Sequence, residues 1–110
     1  MILQKPMLRA DFSHCVHKNF GEYMVKLVVD LEKEIIAYDA EWHADLEAEL
    51  LANNSMKKDL WGFNYYPDKN VLEYNSLINI RPMENKSSDI LDAGICAIVE
   101  TIFLKWVHDE

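Results

Sequence analysis

Leu60 to Pro82 reads LWGFNYYPDKNVLEYNSLINIRP, and the spacing of its aromatic residues decides the fold. Apolar side chains at every second position are the mark of a strand with one buried face. Pro67-Asp68-Lys69-Asn70 supplies turn-forming residues between two such runs. Closing the hairpin there pairs Tyr66 with Val71, Tyr65 with Leu72, Phe63 with Tyr74 and Trp61 with Ser76. One face then gathers Trp61, Phe63, Tyr65, Leu72 and Tyr74 and continues through Ile78 and Ile80. The other gathers Gly62, Asn64, Glu73, Asn75, Asn79 and Arg81, interrupted by Leu60, Tyr66, Val71 and Leu77. A slip of one residue would scramble both sets, so the pattern specifies the register. The aromatic face is core, and the mixed face is where a ligand or partner is expected.

Upstream, Tyr23 to Trp42 sorts in the same way. With Lys33-Glu34 as a two-residue turn, Leu31 faces Ile36, Val29 faces Tyr38, Leu27 faces Ala40 and Val25 faces Trp42, all on one face. Lys26 pairs with Glu41 on the reverse face, where Asp30, Glu32 and Asp39 turn to water. The β-branched content favours strands. Against that, Lys-Glu is a poor hairpin dipeptide, because favoured turns take Gly or Asn at positive φ. One long helix is the alternative, since Met24, Leu27, Val28, Leu31, Ile35 and Tyr38 also fit a helical period.

Helices flank the two hairpins. Leu8, Phe12, Val16 and Phe20 recur every fourth residue after a short edge strand at Ile2-Leu3, with Gly21 placed to end the helix. His43 to Asn53 is a short helix with Leu46, Leu50 and Leu51 inward, closed by Asn53-Asn54-Ser55. After a polar loop from Met83 to Ser88, Asp89 is a plausible N-cap with Asp92 in the first turn. Leu91, Ile95, Ile98, Val99, Ile102, Phe103 and Trp106 then form a wide apolar stripe. The result is a single α+β domain over residues 1–110, in the order αββαββα: an antiparallel sheet of about four strands, made of two hairpins, with three helices packed on one face.

With 110 residues, half of them hydrophobic, the chain can bury one core and no second. No apolar run approaches the ~20 residues of a membrane span, and the first residues lack a signal-peptide core. Cys15 and Cys96 have no metal or redox spacing, so two reduced cysteines and a cytoplasmic location are expected. The net charge of −8 argues against nucleic acid as a partner. Most of the excess is local: Asp30, Glu32, Glu34, Asp39, Glu41, Asp45, Glu47 and Glu49 stand against Lys33 alone. Such a run is ordinarily a solvated face. His14 and His17 share a helix face, with Cys15 between them, but two ligands fall short of the three or four zinc requires. No metal and no cofactor is expected.

The order of motifs is familiar. VVDLEKEIIAYDAEWHADLEAELL, then DLWGFNYYPDK, then SLINIRP resembles a family of small bacterial proteins described only as a domain of unknown function. There a Val-Val-Asp strand precedes His-Ala-Asp, a Leu-Trp-Gly strand ending in Tyr-Pro, and an Asn-Ile-Arg-Pro strand. The likeness covers roughly Met1 to Pro82. It departs at Glu34 and at Asp39-Ala40, where relatives carry Gly, and at Asn85-Lys86-Ser87-Ser88, where they carry an Arg-rich segment. The resemblance implies a compact bacterial domain and the hairpin reading, and it supplies no activity.

Two kinds of chemistry are open to these residues. His43 and Asp45 stand at a strand-to-helix junction, where a histidine near carboxylates can act as a general base; with Arg81 they would make a small hydrolase or nuclease-like enzyme. Gly62, Asn64, Glu73, Asn75, Asn79 and Arg81 could form a hydrogen-bonding patch, Arg81 clamping an anion bidentately. The bland readings are Asp45 as a cap, His43 packed on aromatics and a solvated sheet face. Nothing matches a nucleophile elbow or a phosphate-binding glycine loop. The preferred expectation is a non-enzymatic domain that binds itself, as a homo-oligomer, or another protein, because Leu60, Tyr66, Val71 and Leu77 would otherwise lie bare. A divalent-metal-binding module is a further alternative.

Overall fold

The computed structural model describes residues 1–15 and 24–109. Val16, His17, Phe20 and Gly21 of the first expected helix lie outside the described residues. The described elements are β1 (Met7–Leu8), α1 (Arg9–Cys15), β2 (Val25–Asp30), β3 (Ile35–Tyr38), α2 (His43–Ala52), β4 (Leu60–Tyr66), β5 (Val71–Glu73), α3 (Ala93–Trp106) and β6 (Val107–His108). Four strands form one antiparallel sheet in the order β3-β2-β4-β5, and β1 pairs with β6 in a short parallel ladder that periodicity did not signal. The chain is therefore α+β, with two hairpins and three helices in the expected order.

The aromatic face is core. Trp61, Phe63 and Tyr65 are buried with Val25, Leu27, Val29, Ile36 and Tyr38 of the neighbouring strands. Phe12 of α1 and Val99, Ile102 and Phe103 of α3 close over them. Phe103 sits at the centre of the ring cluster, with its centroid 4.9 Å from Tyr65 and 6.0 Å from Phe63 in an edge-on contact.

Helices do not all lie on that face, contrary to expectation. Val28, Ala37 and Leu60 point to the opposite side, where Leu46 and Leu50 of α2 bury them in a second core. Leu60 is fully buried, so it is not one of the bare apolar residues anticipated on the mixed face. A sheet with helices on both faces explains why β2 reads as a nearly continuous apolar run that also fitted a helical period. On α2, Leu51 is exposed rather than inward. The helix does close on the Asn pair, with Asn54 in the left-handed region at φ 72°.

The first hairpin exists with its register slid by two. Leu27 faces Tyr38 and Val29 faces Ile36, and the turn spans four residues, 31–34. An even shift preserves which side chains share a face, so Val25, Leu27, Val29, Ile36 and Tyr38 still meet in the main core, but Ala40 packs against the second core and Trp42 is exposed, not core as expected. The turn is built by Asp30, which is buried rather than turned to water. Its Oδ1 accepts the backbone N–H groups of Glu32 and Lys33, both at 2.9 Å, and its Oδ2 accepts the Ser55 hydroxyl at 2.6 Å. Glu34 then takes the left-handed conformation at φ 55°, which supplies what Lys-Glu lacked as a two-residue turn. Trp106 of α3 donates its indole N–H to the Glu34 carbonyl at 2.8 Å, docking the C-terminal helix on this turn.

The second hairpin has the expected register, Tyr66 opposite Val71 and Tyr65 opposite Leu72, but its return strand stops at Glu73. Asn75 bridges to Asp89, and Leu77–Asn79 coil into a 3-10 turn. Ile78 consequently packs toward the second core, and Ile80 is half exposed, so neither extends the aromatic face. The edge of β4 left open by this departure is closed by side chains. Gly62 donates its N–H to Asn79 Oδ1 at 2.7 Å, and Asn79 Nδ2 donates to the Gly62 carbonyl at 2.9 Å, so one carboxamide replaces a strand's backbone. Arg81 donates to the carbonyls of Lys58 and Leu60 and stacks on Trp61, 3.8 Å from the ring centroid. Asn85, buried in the polar loop, donates to the carbonyls of Asn79, Ser87 and Asp89 and accepts the N–H of Leu91. At α3 the N-cap is Asp92, accepting from Gly94 and Ile95, and not Asp89. Of its apolar stripe, Val99, Ile102 and Phe103 are buried, whereas Leu91 and Ile98 are exposed.

The room over Gly62 is taken by its own chain: a Cβ there would lie 2.5 Å from Ser76 Cβ. Gly62→Ala is expected to destabilise the domain by about 1–3 kcal/mol through overpacking. Asn79→Ala, which leaves two buried backbone groups unpaired, should cost about 2–4 kcal/mol, and Asn75→Ala, at a more exposed amide, well under about 1 kcal/mol. Urea melts of the three variants test the ranking.

Candidate functional site

The N-terminal end of α2 stops short of the outer corner of the sheet. A pocket of about 440 Å³ opens there, lined by Lys26 of β2 with Met24 just before it, Trp42 and His43 at the start of α2, Asn64 of β4, Glu73 of β5 and residues 75–78. Its polar floor follows from strand register. Lys26 lies opposite Asn64 across β2 and β4, and Asn64 lies opposite Glu73 across β4 and β5. Directly opposed residues project to the same side of a sheet, so a cation, a carboxamide and a carboxylate form one row. The Lys26 ammonium stands over the Trp42 ring, 5.5 Å from its centroid, and Trp42 is 58% exposed.

His43 is held by a 2.9 Å hydrogen bond between its Nε2 and the carbonyl of Phe63. A carbonyl only accepts, so Nε2 carries the proton and a neutral ring leaves Nδ1 bare. Burial pushes the His43 pKa below its ordinary 6.5; the bond to Phe63 opposes this, Lys26 reinforces it, and Asn64 and Glu73 counter it.

Asn64 is 5% exposed. Its Nδ2 donates to Glu73 Oε1 at 2.8 Å and to the Asn75 carbonyl at 3.2 Å. Both partners only accept, which fixes the amide with nitrogen on that side. Oδ1 therefore turns the other way, buried and facing the His43 ring, whose pKa it helps to raise, although no well-formed hydrogen bond joins them. Glu73 also accepts the Tyr66 hydroxyl at 3.1 Å.

Of the residues singled out from sequence, the fold brings His43, Asn64, Glu73 and Asn75 together around this pocket. Gly62 and Asn79 are spent on each other at the β4 edge. Arg81 is bound at the start of β4, with Glu84 3.8 Å away, and does not line the pocket. Asp45 is exposed on the first turn of α2, whose N-cap residue is Trp42, and makes no side-chain cap. His43, Asp45 and Arg81 are therefore not grouped in the pocket. Lys26 and Trp42 were missed as lining residues, whereas Leu77, expected bare on the mixed face, is exposed at the rim. Lys26 could have been found by aligning the two hairpins, but nothing in a single strand's pattern says which strand pairs with which.

His14 is exposed, and among the described residues no group of three or more His, Cys, Asp or Glu is arranged to hold a metal. The Cys96 thiol is half-buried, and burial raises its pKa, with Asp92 adding to the effect, which disfavours the reactive thiolate. No helix among the described residues is long and apolar enough to cross a membrane.

A second surface stands out on α3. Gly94, Ala97, Ile98, Thr101 and Leu104 form its outward side, all exposed, with Leu91 just before the helix. Charge on the helix is confined to Glu100 and Lys105, and Lys105 pairs with Glu34 at 3.3 Å.

A family model described as "Protein of unknown function (DUF5674)" matches residues 1–106. None of the curated proteins and none of the solved structures matches the chain.

The depressed His43 pKa predicts a pH dependence. The unfolded chain takes up a proton near pH 6.5 that the folded chain resists, so stability is fully present above that value and is lost as pH falls through it. Melting temperatures from about pH 8 to about pH 5 should fall more steeply for the wild type than for His43→Gln. Parallel profiles would assign the loss to another group.

Proposed function

The chain belongs to that DUF5674 family, and on this premise we propose that it is a non-enzymatic interaction domain that works as a homodimer through the outer face of α3. The observation that carries the reading is a helix apolar on both sides. Its inner side is core, and its outer side presents Gly94, Ala97, Ile98, Thr101 and Leu104 to solvent. A surface helix ordinarily carries charge opposite its core stripe, and one that is apolar all round belongs between two bodies. The contrast with the rest of the chain is sharp, since a net charge of −8 keeps like molecules apart everywhere except where a surface carries little charge.

A second copy suits this face better than an edge-to-edge partner. The β3 edge is covered by the N-terminal segment, where Leu3 donates to the Ile36 carbonyl at 2.9 Å, and the β4 edge is closed by Asn79 and Arg81. The other outer edge, β5, is only three residues long, and covered or very short edges are poor templates for an added strand. Small residues at Gly94, Ala97 and Thr101 let a second helix approach closely, and the larger Leu91, Ile98 and Leu104 fill the space between. A two-fold axis across α3 would match this patch to itself.

Sedimentation equilibrium at micromolar concentration should show a dimer. Ile98→Glu with Leu104→Lys, both at exposed positions, should weaken the dimer by more than about a hundredfold, or roughly 3 kcal/mol, with an unchanged circular dichroism spectrum. A wild-type chain that sediments strictly as a monomer overturns the proposal.

A further inference from the structure

The outward side of α3 is graded from end to end. Gly94 and Ala97, near its start, are small, whereas Thr101 and Leu104, further along, are larger. These four fall at intervals of three, four and three residues, which keeps them in one row along the helix. Ile98 and Leu91, both exposed, flank that row on one side. Charge is graded as well. Asp92 caps the first turn with Asp89 just before it, and Lys105 lies in the last turn. Glu100, between them, accepts the Tyr74 hydroxyl at 3.4 Å and so is drawn off the row toward the sheet.

Given that α3 is the interface, as proposed above, these gradients also fix how the second copy lies. In a parallel pair each residue meets its own copy. Leu104 would then crowd Leu104, Gly94 would face Gly94 across a gap, and Asp92 and Lys105 would each meet like charge. Reversing one helix exchanges the ends. About a two-fold axis at the level of Val99, Gly94 lies opposite Leu104 of the second copy and Ala97 opposite Thr101, because the members of each pair are equally far from residue 99. A leucine then fills the room over a glycine, the large-on-small match by which close-packed layers interdigitate.

We propose that two copies pack α3 against α3 in antiparallel order, with the two-fold axis at the level of Val99. The helices approach to about 8 Å, the short end of the usual range, because Gly94 and Ala97 hold nothing between them. Lys105 comes beside Asp92 of the second copy. Glu34 holds Lys105 at 3.3 Å, but an ammonium has three donors and can bridge both carboxylates. The two helix dipoles run in opposite directions, which sets the positive end of each against the negative end of the other. The corner pocket lies on the other side of the sheet from α3, so this dimer leaves both pockets facing outward.

The test uses the full chain with Cys15 and Cys96 replaced by serine and one of two further changes, Leu91→Cys or Lys105→Cys, both at exposed positions. Antiparallel packing holds the two copies of either new thiol about 20 Å apart along the helix. It also brings Leu91→Cys of one chain beside Lys105→Cys of another. A short bis-maleimide should therefore link the two variants when they are mixed and re-equilibrated, and leave each variant alone unlinked. Efficient linking of each variant to itself overturns the antiparallel order and leaves the α3 dimer standing. No link in any combination, with a dimer still seen in sedimentation, overturns both, as does a wild type that is monomeric. A second measurement needs no cysteine. Lys105→Glu sets a carboxylate beside Asp92 of the second copy and should weaken the dimer about fivefold. An unchanged dissociation constant is the parallel result, in which like meets like before and after the change, and it overturns the proposal.

Discussion

The pairing of the Asn79 carboxamide with the Gly62 peptide is the contact on which the rest of this architecture rests. β4 is the longest described strand and carries three of the six buried aromatic residues of the main core, but its partner β5 runs for three residues only. Beyond that point β4 would be a bare edge with buried, unpaired backbone groups, a costly arrangement on both solvation and aggregation grounds. A side-chain amide has one donor and one acceptor in nearly the geometry of a backbone group. Asn79 supplies both, and it reaches them only because Gly62 has no Cβ to hold Ser76 and Ile78 away. Asn85 in turn holds the Asn79 carbonyl and the chain on to Leu91.

Closing the edge with a loop instead of a strand determines where the layers go. The chain leaves the sheet after Glu73, crosses under α2 through Leu77–Asn79, and returns through Asp89 to start α3 on the opposite side. The sheet is thereby sandwiched, with Leu46 and Leu50 against one face and Val99, Ile102 and Phe103 against the other. α2 covers only part of its face. The uncovered corner is the pocket, and its polar floor is the continuation of the same sheet face whose other end, at Asp30, is buried and fully bonded to the turn and to Ser55.

Much of this was legible in the chain. Alternation placed Trp61, Phe63 and Tyr65 inward, and Pro67-Asp68-Lys69-Asn70 marked the turn with its register. In the first hairpin Val25, Leu27, Val29, Ile36 and Tyr38 kept a common face even though the register was off by two, because side chains repeat with period two; Trp42, beyond the paired residues, did not follow. What misled was the return strand. Ile78 and Ile80 alternate as a strand would, but Asn75 and Asn79 satisfy more backbone from loop positions than they would from a ladder. Periodicity alone does not see that competition.

The sequence by itself determined which residues are apolar on which period, and so the second hairpin's turn and register, α2, α3 and the inward aromatic residues of β4, while Tyr23 to Trp42 stayed open between a hairpin and one helix; these are local matters, settled by side-chain spacing within a dozen residues. Only the tertiary structure decided that helices lie on both faces, that Leu60 is core, that His43 parts company with Asp45 and Arg81, and that Lys26, Asn64 and Glu73 share a row. Each of those depends on which strand lies beside which, a choice made by packing between segments distant in the chain, and no pattern inside one segment encodes its neighbour.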